Sequence, residues 1–418
     1  MPEFPPVKRR EIAAWCAYDF ANASFTVVIV TVVFSVYFTK IICGGRADAD
    51  WYWSLAGFFS QMAVVLLSPF LGVLADLRAC KKRALLACYL LCVAFTLCLS
   101  RFGPGDIAAA MICFIFANVA FSLGENFNSS FLPELAKPHE IGRISGYGWG
   151  MGYVGGLANL GLCFPLLQGG FTLANQANLQ HTSVLTALFF LFTGWPVFLI
   201  LRERAVPKPV APGELWRAGA GRIAQTVRLL GSDRRLRTFF SAFFLYSCGV
   251  ATIIAFAAIY AEKEIGFGGQ QLILFFLLLQ ISASAGAFLF GILQDRWGSI
   301  PTLRLTLVIW IVVVAGAALT HTVTMFYVVG NLAGLAIGSV QSASRAVVAL
   351  LAPEDRHAEY FGFWGLFGKL AAGFGPLVYG LISYLTHSSR LALMGPLAFF
   401  LLGGWLVGKV KLDPRQAP

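Results

Sequence analysis

Charge is what this sequence lacks. Only 12% of its 418 residues are Asp, Glu, Lys or Arg, about half the roughly 25% of a soluble protein. So little charge excludes an ordinary water-soluble domain. Histidine is scarce too. The five residues His139, His181, His321, His357 and His387 fall at the ends of apolar runs or in loops, which argues against an imidazole proton relay at mid-membrane. Nine cysteines are present without a Cys-x-x-Cys pair. Seven of them (Cys16, Cys88, Cys92, Cys98, Cys113, Cys163 and Cys248) sit inside apolar runs as small, soft packing residues, so no metal site is expected. His-Glu-x-x-His, Gly-x-Ser-x-Gly and a phosphate-binding loop are all missing, which removes the common hydrolase and nucleotide-driven classes. An enzyme is not expected, nor is a cofactor.

Long apolar runs are what the sequence has. Hydrophobic residues make up 58% of the chain, gathered into twelve stretches near 12–39, 53–76, 84–100, 107–131, 144–168, 184–201, 237–261, 270–293, 303–320, 325–351, 359–386 and 390–408. A bilayer core takes about 20 apolar residues as a helix. No soluble fold needs twelve such runs, so the expected fold is an all-α membrane protein with twelve transmembrane helices. The net charge of +11 first suggests nucleic acid, but the placement of the charges points to topology. With the N-terminus inside, 24 of the 31 Lys and Arg fall in inside segments. Five fall outside (Lys40, Arg46, Arg101, Lys263 and Arg390) and two lie within spans (Arg345 and Lys369). This asymmetry is the positive-inside pattern, with both termini cytoplasmic. The first run is too long for a cleaved leader, and eleven more follow it. The expected location is the cell (inner) membrane, with membrane lipid and a small-molecule substrate as partners and no nucleic acid. A monomer is expected.

The longest polar stretch follows the sixth span. It contains Pro207, Pro209 and Pro212, then Trp216, Ile223, Val227 and Leu230 at helical spacing with Arg217, Arg222 and Arg228 between them. This reads as a basic amphipathic helix on the cytoplasmic membrane surface. It divides the chain into a six-helix half over 1–201, a linker over 202–236 and a second six-helix half over 237–418. The halves look alike. Gly72-Val-Leu-Ala-Asp76 follows span 2 and Gly291-Ile-Leu-Gln-Asp295 follows span 8. Pro138 after span 4 matches Pro353 after span 10, and a Gly-rich span comes next in both. Parallel six-span repeats are a transporter architecture with the site at the midplane.

At these residues the chain resembles the major facilitator superfamily. Gly72-x-Leu-Ala-Asp76 with Lys81, Lys82 and Arg83 is similar to that superfamily's loop 2–3 signature, departing from it at Leu77, Ala79 and Cys80. Asp295-Arg296-x-Gly298 repeats its core without the trailing basic residues. A narrower resemblance is to the Atg-type vacuole effluxer, or "unknown major facilitator", family. It rests on Trp15-x-x-Tyr18-Asp19-x-Ala21-Asn22, on Leu132-Pro133-Glu134-Leu135 followed by Gly142-Arg143 and Gly148-Trp149-Gly150-x-Gly152-Tyr153, and on Gln341-x-x-Ser344-Arg345 with Glu359-x-Phe361-Gly362, Gly368-Lys369 and Gly375-Pro376. The resemblance implies a twelve-helix secondary carrier. Fungal members of the family are described as vacuolar amino-acid effluxers. It also implies that Asp76 and Asp295, with Gly72, Arg83, Arg296 and Glu359, form a latch at the cytoplasmic surface, the aspartate capping a neighbouring helix N-terminus.

Ionisable groups within spans cost about 2.5–3.5 kcal/mol each on insertion scales, so they face the bundle interior and mark function. Asp19 in span 1, flanked by Tyr18 and Asn22, reads as a coupling or substrate-amine carboxylate, or as a structural ion pair holding span 1. Glu125 and Asn126 in span 4, with Asn128 beyond, suit proton coupling or a structural partner for a basic group. Arg345 and Lys369 are the two cations within spans. They pair with Asp19 or Glu125 across the halves, bind a substrate anion, or bridge within one half. Gln341 lies one turn before Arg345. Gln61, Asn118, Asn159, Gln280 and Asn331 are read first as helix–helix contacts. Gly150-x-Gly152-x-x-Gly155 matches a dinucleotide fingerprint only literally, because no strand precedes it. Gly148, Gly152 and Gly156 instead make a smooth face for close packing, and Gly362, Gly365 and Gly368 suggest the same in span 11.

The reading with most support is a secondary active transporter working by alternating access. Its expected cargo is a small polar or zwitterionic solute such as an amino acid, moved outward and coupled to protons. A lipid or lysolipid flippase on the same fold is the alternative.

Overall fold

In lipid every backbone amide must find its partner inside its own segment, so apolar runs of this length fold as helices. The computed structural model describes residues 8–135, 141–204, 234–351 and 357–410, with 221 and 228. The long helices are α1 (Arg9–Phe25), α2 (Ala49–Arg78), α3 (Lys81–Leu99), α4 (Ile107–Ser129), α5 (Ile141–Cys163), α6 (Gln176–Gly194), α7 (Arg234–Ile265), α8 (Gly269–Trp297), α9 (Ser299–Leu319), α10 (Val323–Leu351), α11 (His357–Thr386) and α12 (Met394–Val407). Among the described residues, eleven helical segments are long and apolar enough to cross a membrane. The expected surface helix over Glu214–Leu230 lies outside the described residues, save Gly221 and Arg228.

The first membrane segment runs from Arg9 to Ile42. It passes through two π-helical stretches, Thr26–Val32 and Phe38–Ile42. The β-branched run from Val27 to Val33 explains the first of these. Stiff side chains crowd the preceding turn and loosen a regular α-helix. Hydroxyls take up carbonyls along the way: Ser24 donates to Ala21 at 2.6 Å, Ser35 to Thr31 at 2.9 Å and Thr39 to Ser35 at 3.1 Å.

The chain forms two compact units. Unit 1 comprises Met1–Gly45 and Phe59–Ala224, and unit 2 comprises Arg46–Phe58 and Gln225–Pro418. The beginning of α2 therefore folds with unit 2 and the rest of it with unit 1.

Within unit 1, α5 lies against α1 along its glycines. A Cβ on Gly155 would overlap the Phe20 carbonyl, and one on Gly156 would come to 2.7 Å from Val27. A Cβ on Gly148 would overlap the Asp19 carboxylate, and one on Gly152 would reach 3.5 Å from the Asp19 carbonyl oxygen. The packing face expected from Gly148, Gly152 and Gly156 is present, with Gly155 as its tightest point. We expect Gly155→Ala to destabilise the protein by about 1–3 kcal/mol, the usual range for overpacking. Gly150→Ala, with nothing within 4 Å, should be silent. Thermal unfolding of the two variants in detergent measures the difference.

Within unit 2 the equivalent approach is made by Gly375 on α11, whose Cβ would overlap the Cys248 carbonyl of α7. Of the stripe expected at Gly362, Gly365 and Gly368, the last two are not where α11 packs closely, and the surroundings of Gly362 lie outside the described residues. Gly365 has nothing within 4 Å and Gly368 only Phe243 at 4.0 Å. Gly334 on α10 serves a similar purpose against α8, its Cβ 2.5 Å from the Leu279 carbonyl. Lone amides join helices as expected. Asn118 donates to Ser60 at 2.6 Å, Asn159 to Thr186 at 2.9 Å, and Ser282 to Asn331 at 2.5 Å.

Candidate substrate and coupling site

Asp19 lies in the middle of α1, with its carboxylate turned to α4 and α5. Asn128 donates its amide to Asp19 Oδ1 at 2.9 Å. The Asn128 carbonyl accepts from the Trp15 indole at 2.8 Å, so one residue of α4 holds two residues of α1 a turn apart. Gly148 leaves room for the carboxylate on the α5 side. Two amide oxygens stay buried and unpartnered, Asn22 Oδ1 and Asn128 Oδ1, as does the Ser122 hydroxyl. Burying a carbonyl without a partner costs about 1–3 kcal/mol. Asn128 holds Asp19 and Asn22 follows it by one turn of α1, so these two amide oxygens leave capacity beside the carboxylate to accept further hydrogen bonds.

The other expected site residues divide. Glu125 is half-buried one turn before Asn128 and close enough to act electrostatically on Asp19. Asn126 is turned away from Asp19 and donates to Ser68 at 2.9 Å, joining α4 to α2. Tyr18 also leaves the site. It is 1% exposed and packs among Tyr89 and Phe190, with ring centroids at 6.2 and 5.9 Å. In unit 2, Gln341 is exposed on α10 and Lys369 is half-buried on α11. The side chains of Arg345, Asp76, Asp295 and Glu359 lie outside the described residues. Ser344, beside Arg345, shares a 2.8 Å hydrogen bond with Tyr246 of α7.

Where α1 begins, unit 1 carries an ionic cluster that sequence reasoning did not assemble. Glu203 accepts from the first amides of α3, Lys81 N at 2.6 Å and Lys82 N at 3.2 Å. An acidic side chain thus caps the N-terminus of α3, where negative charge is favourable. Glu134 accepts from Lys81 Nζ at 3.0 Å and from the Arg204 backbone at 3.0 Å. Arg204 Nη2 reaches both oxygens of Glu11, at 3.0 and 2.9 Å. Of the expected latch residues, Arg83 is exposed and Gly72 half-buried. Glu11, Glu134 and Glu203 are too far apart in sequence to form a motif. The Leu132-Pro133-Glu134-Leu135 block carried the one available hint.

Unit 2 holds another missed residue. Asp50, at the start of α2, is 1% exposed and accepts from Ser383 at 2.8 Å and from Lys263 Nζ at 3.3 Å. Unit 2 also encloses an apolar cavity of about 50 Å³ lined by Phe256, Tyr260, Phe275, Phe326, Val329 and Tyr379, among others.

Known proteins share this fold over nearly the whole chain. The nucleoside transporter NupG superposes with a TM-score of 0.70 at 15% identity, covering 96% of this chain and 98% of that one. At that identity the likeness shows the fold alone, an all-helical multi-pass one. In sequence, the MFS-type transporter YxiO of Bacillus subtilis is 26% identical, covering 93% of this chain and 92% of YxiO. Autophagy-related protein 22 of Vanderwaltozyma polyspora is 21% identical, covering 90% and 79% of the two chains. The family model described as "Vacuole effluxer Atg22 like" matches residues 54–414, and the chain belongs to that family of membrane transporters.

Proposed function

We propose that this protein exports a small zwitterionic solute, an amino acid, from the cytoplasm by alternating access of two six-helix halves. In this reading twelve spans cross the cell membrane with both termini inside. The observation that carries it is the Asp19–Asn128 pair with its unpartnered amide oxygens. A carboxylate and several bare acceptors amid apolar helices suit a ligand rich in N–H donors, and an ammonium group is the compact example. Asp19 and Asn22 receive the ammonium, with Asn128 holding Asp19 in place. Glu125 is a second acid for a coupled proton. Arg345 and Lys369 provide the cationic counterpart for the cargo's carboxylate, Arg345 through its planar fork. No nucleotide-binding loop is needed, because a gradient drives the cycle. One charge moving through 100 mV is worth about 2.3 kcal/mol.

The test is thermal unfolding of the purified protein against amino acids, dipeptides, lysolipids and organic anions, each at two pH values about two units apart. A ligand at a hundred times its dissociation constant stabilises by about 2.7 kcal/mol, a shift that unfolding curves resolve readily. An amino acid is expected to stabilise the wild-type protein and to have no effect on Asp19→Asn. Stabilisation by lysolipid alone would replace this reading with that of a lipid flippase. The apolar cavity in unit 2 is the feature favouring the flippase, since it suits a hydrocarbon segment better than a charged one.

A further inference from the structure

Two cysteines that read in the sequence as packing residues meet at one end of unit 1. Helices α3 and α4 lie side by side and antiparallel, joined by residues 100–106. Toward the start of α3 their backbones come close. A Cβ on Gly124 of α4 would stand 3.6 Å from the Cys88 Cβ, within the Cβ separation of a disulfide, about 3.5–4.5 Å. Two turns further along α3, Phe95 stacks on Phe116 with ring centroids at 5.1 Å. One more turn brings Cys98 opposite Cys113. Cys113 Sγ donates to the Phe95 carbonyl at 3.2 Å, which sets its sulfur on the surface of α3 one turn from Cys98. The two thiols lie within side-chain hydrogen-bonding reach of one another. Both are free, Cys98 exposed and Cys113 buried. Cys98 belongs to the last turn of α3, and its carbonyl accepts from the Arg101 amide at 3.0 Å. The other cysteines of α3 differ, since Cys88 and Cys92 are both buried.

We propose that Cys98 and Cys113 are a reversible thiol–disulfide site, closed by a disulfide-bearing oxidant that reaches the end of α3. Cys98 attacks first, because the thiolate is the nucleophile and forms more readily at an exposed sulfur than at a buried one. It gives up its proton, attacks one sulfur of the oxidant's disulfide and expels the other as a thiolate, leaving a mixed disulfide. Cys113 gives up its proton in turn and attacks the Cys98 sulfur, expelling the second thiolate. Two protein thiols are oxidised to one disulfide, and the oxidant is reduced to two thiols that take up the two protons. The product staples α3 to α4 within unit 1. It stays reducible, because exposed bridges are the labile ones. With the N-terminus inside, as proposed above, α3 ends on the outer side, where disulfides persist. Only that setting rests on the proposed topology, and the pair itself does not depend on the cargo.

The test treats the reduced full-length protein with oxidised glutathione. Remaining thiols are alkylated, and the chain is cut after Arg101, which separates the two cysteines unless they are bridged. Fragment 84–101 should be found linked to the fragment that begins at residue 102. The ratio of linked to free fragments should fall about tenfold or more after dithiothreitol. Cys98→Ser should abolish the linkage. Cys113→Ser should keep glutathione on Cys98, since nothing resolves the mixed disulfide. A folded wild-type protein that holds glutathione on Cys98 without linkage, or that takes up none, overturns the inference. So does linkage that survives in Cys98→Ser. If a serine variant does not fold, sequencing the linked fragments of the wild-type protein by mass identifies the bridged residues and decides in its place. A second arm alkylates the protein in cells quenched with acid. Linkage there supports an oxidising setting for the end of α3. A pair found reduced in cells but bridged by glutathione after purification would overturn the outer placement and leave the site standing.

Discussion

Arg204→Met is expected to lower stability by about 3 kcal/mol, in line with removing one partner of a buried ion pair. The change leaves Glu11, whose side chain is 5% exposed, facing a hydrocarbon stem in place of a guanidinium. Both Glu11 oxygens now accept from Arg204, and the remaining described contact is the Lys8 amide at 3.3 Å. Most of the loss therefore comes from a stranded charge and little from lost attraction. A double-mutant cycle separates the two. Glu11→Gln alone should cost less, and Glu11→Gln with Arg204→Met should recover part of the single-variant loss, because no unpaired anion remains. Unfolding midpoints in detergent measure all three. Additive losses would mean that the two side chains act independently and that the pair contributes no coupling energy.

The second large effect falls on transport. Asp19→Asn should reduce transport about a hundredfold or more while changing stability by less than about 1.5 kcal/mol. The isostere keeps the shape that Gly148 accommodates and can still accept from Asn128, so the fold loses little beyond a charge-assisted bond. In the proposed reading the cargo's ammonium loses the anionic contact that Asp19 supplies. A charge-assisted bond worth about 1.5–3 kcal/mol corresponds to roughly a tenfold to hundredfold loss of affinity. Loss of any proton exchanged at Asp19 adds to that. Counterflow in proteoliposomes, measured beside the melting temperature, tests both halves of the statement. A folded Asp19→Asn protein that transports at the wild-type rate would remove Asp19 from the mechanism. Asn128→Leu should behave differently, losing function and one of the two ties between α4 and α1, because the Asp19 carboxylate loses its described partner while the Trp15 bond to the backbone carbonyl of residue 128 remains.

Much of this was legible in the residues. Apolar runs near twenty residues admit only helices in lipid, so the positions of the long helices followed from composition alone. The glycines of α5 foretold a close approach to another helix, because a bare backbone is the one surface that another backbone can touch. Asp19 was conspicuous because a carboxylate at mid-helix in lipid is too costly to be incidental.

Tertiary structure alone decided which polar groups meet. Tyr18 and Asp19 are sequence neighbours, yet 100° per residue around α1 sends the tyrosine into an aromatic cluster and the aspartate to Asn128. Asn126 and Asn128 part in the same way, one to Ser68 and one to Asp19. The Gly-x-x-Gly spacing in α11 drew attention to Gly365 and Gly368, while the close contact falls at Gly375, since spacing alone does not say which face meets a neighbour. Asp50 and Lys263 stand 213 residues apart, and Glu11 and Arg204 stand 193 apart. In the sequence all four look like ordinary charges at helix ends. Hydropathy has no access to such pairs, because it measures how a residue partitions from water and not which residue from another helix arrives beside it. The sequence determined that this chain lives in a membrane as a bundle of helices, because solvation acts on each segment by itself. Only the fold decided where its charges are held, because pairing depends on the rotation and depth at which separate helices pack.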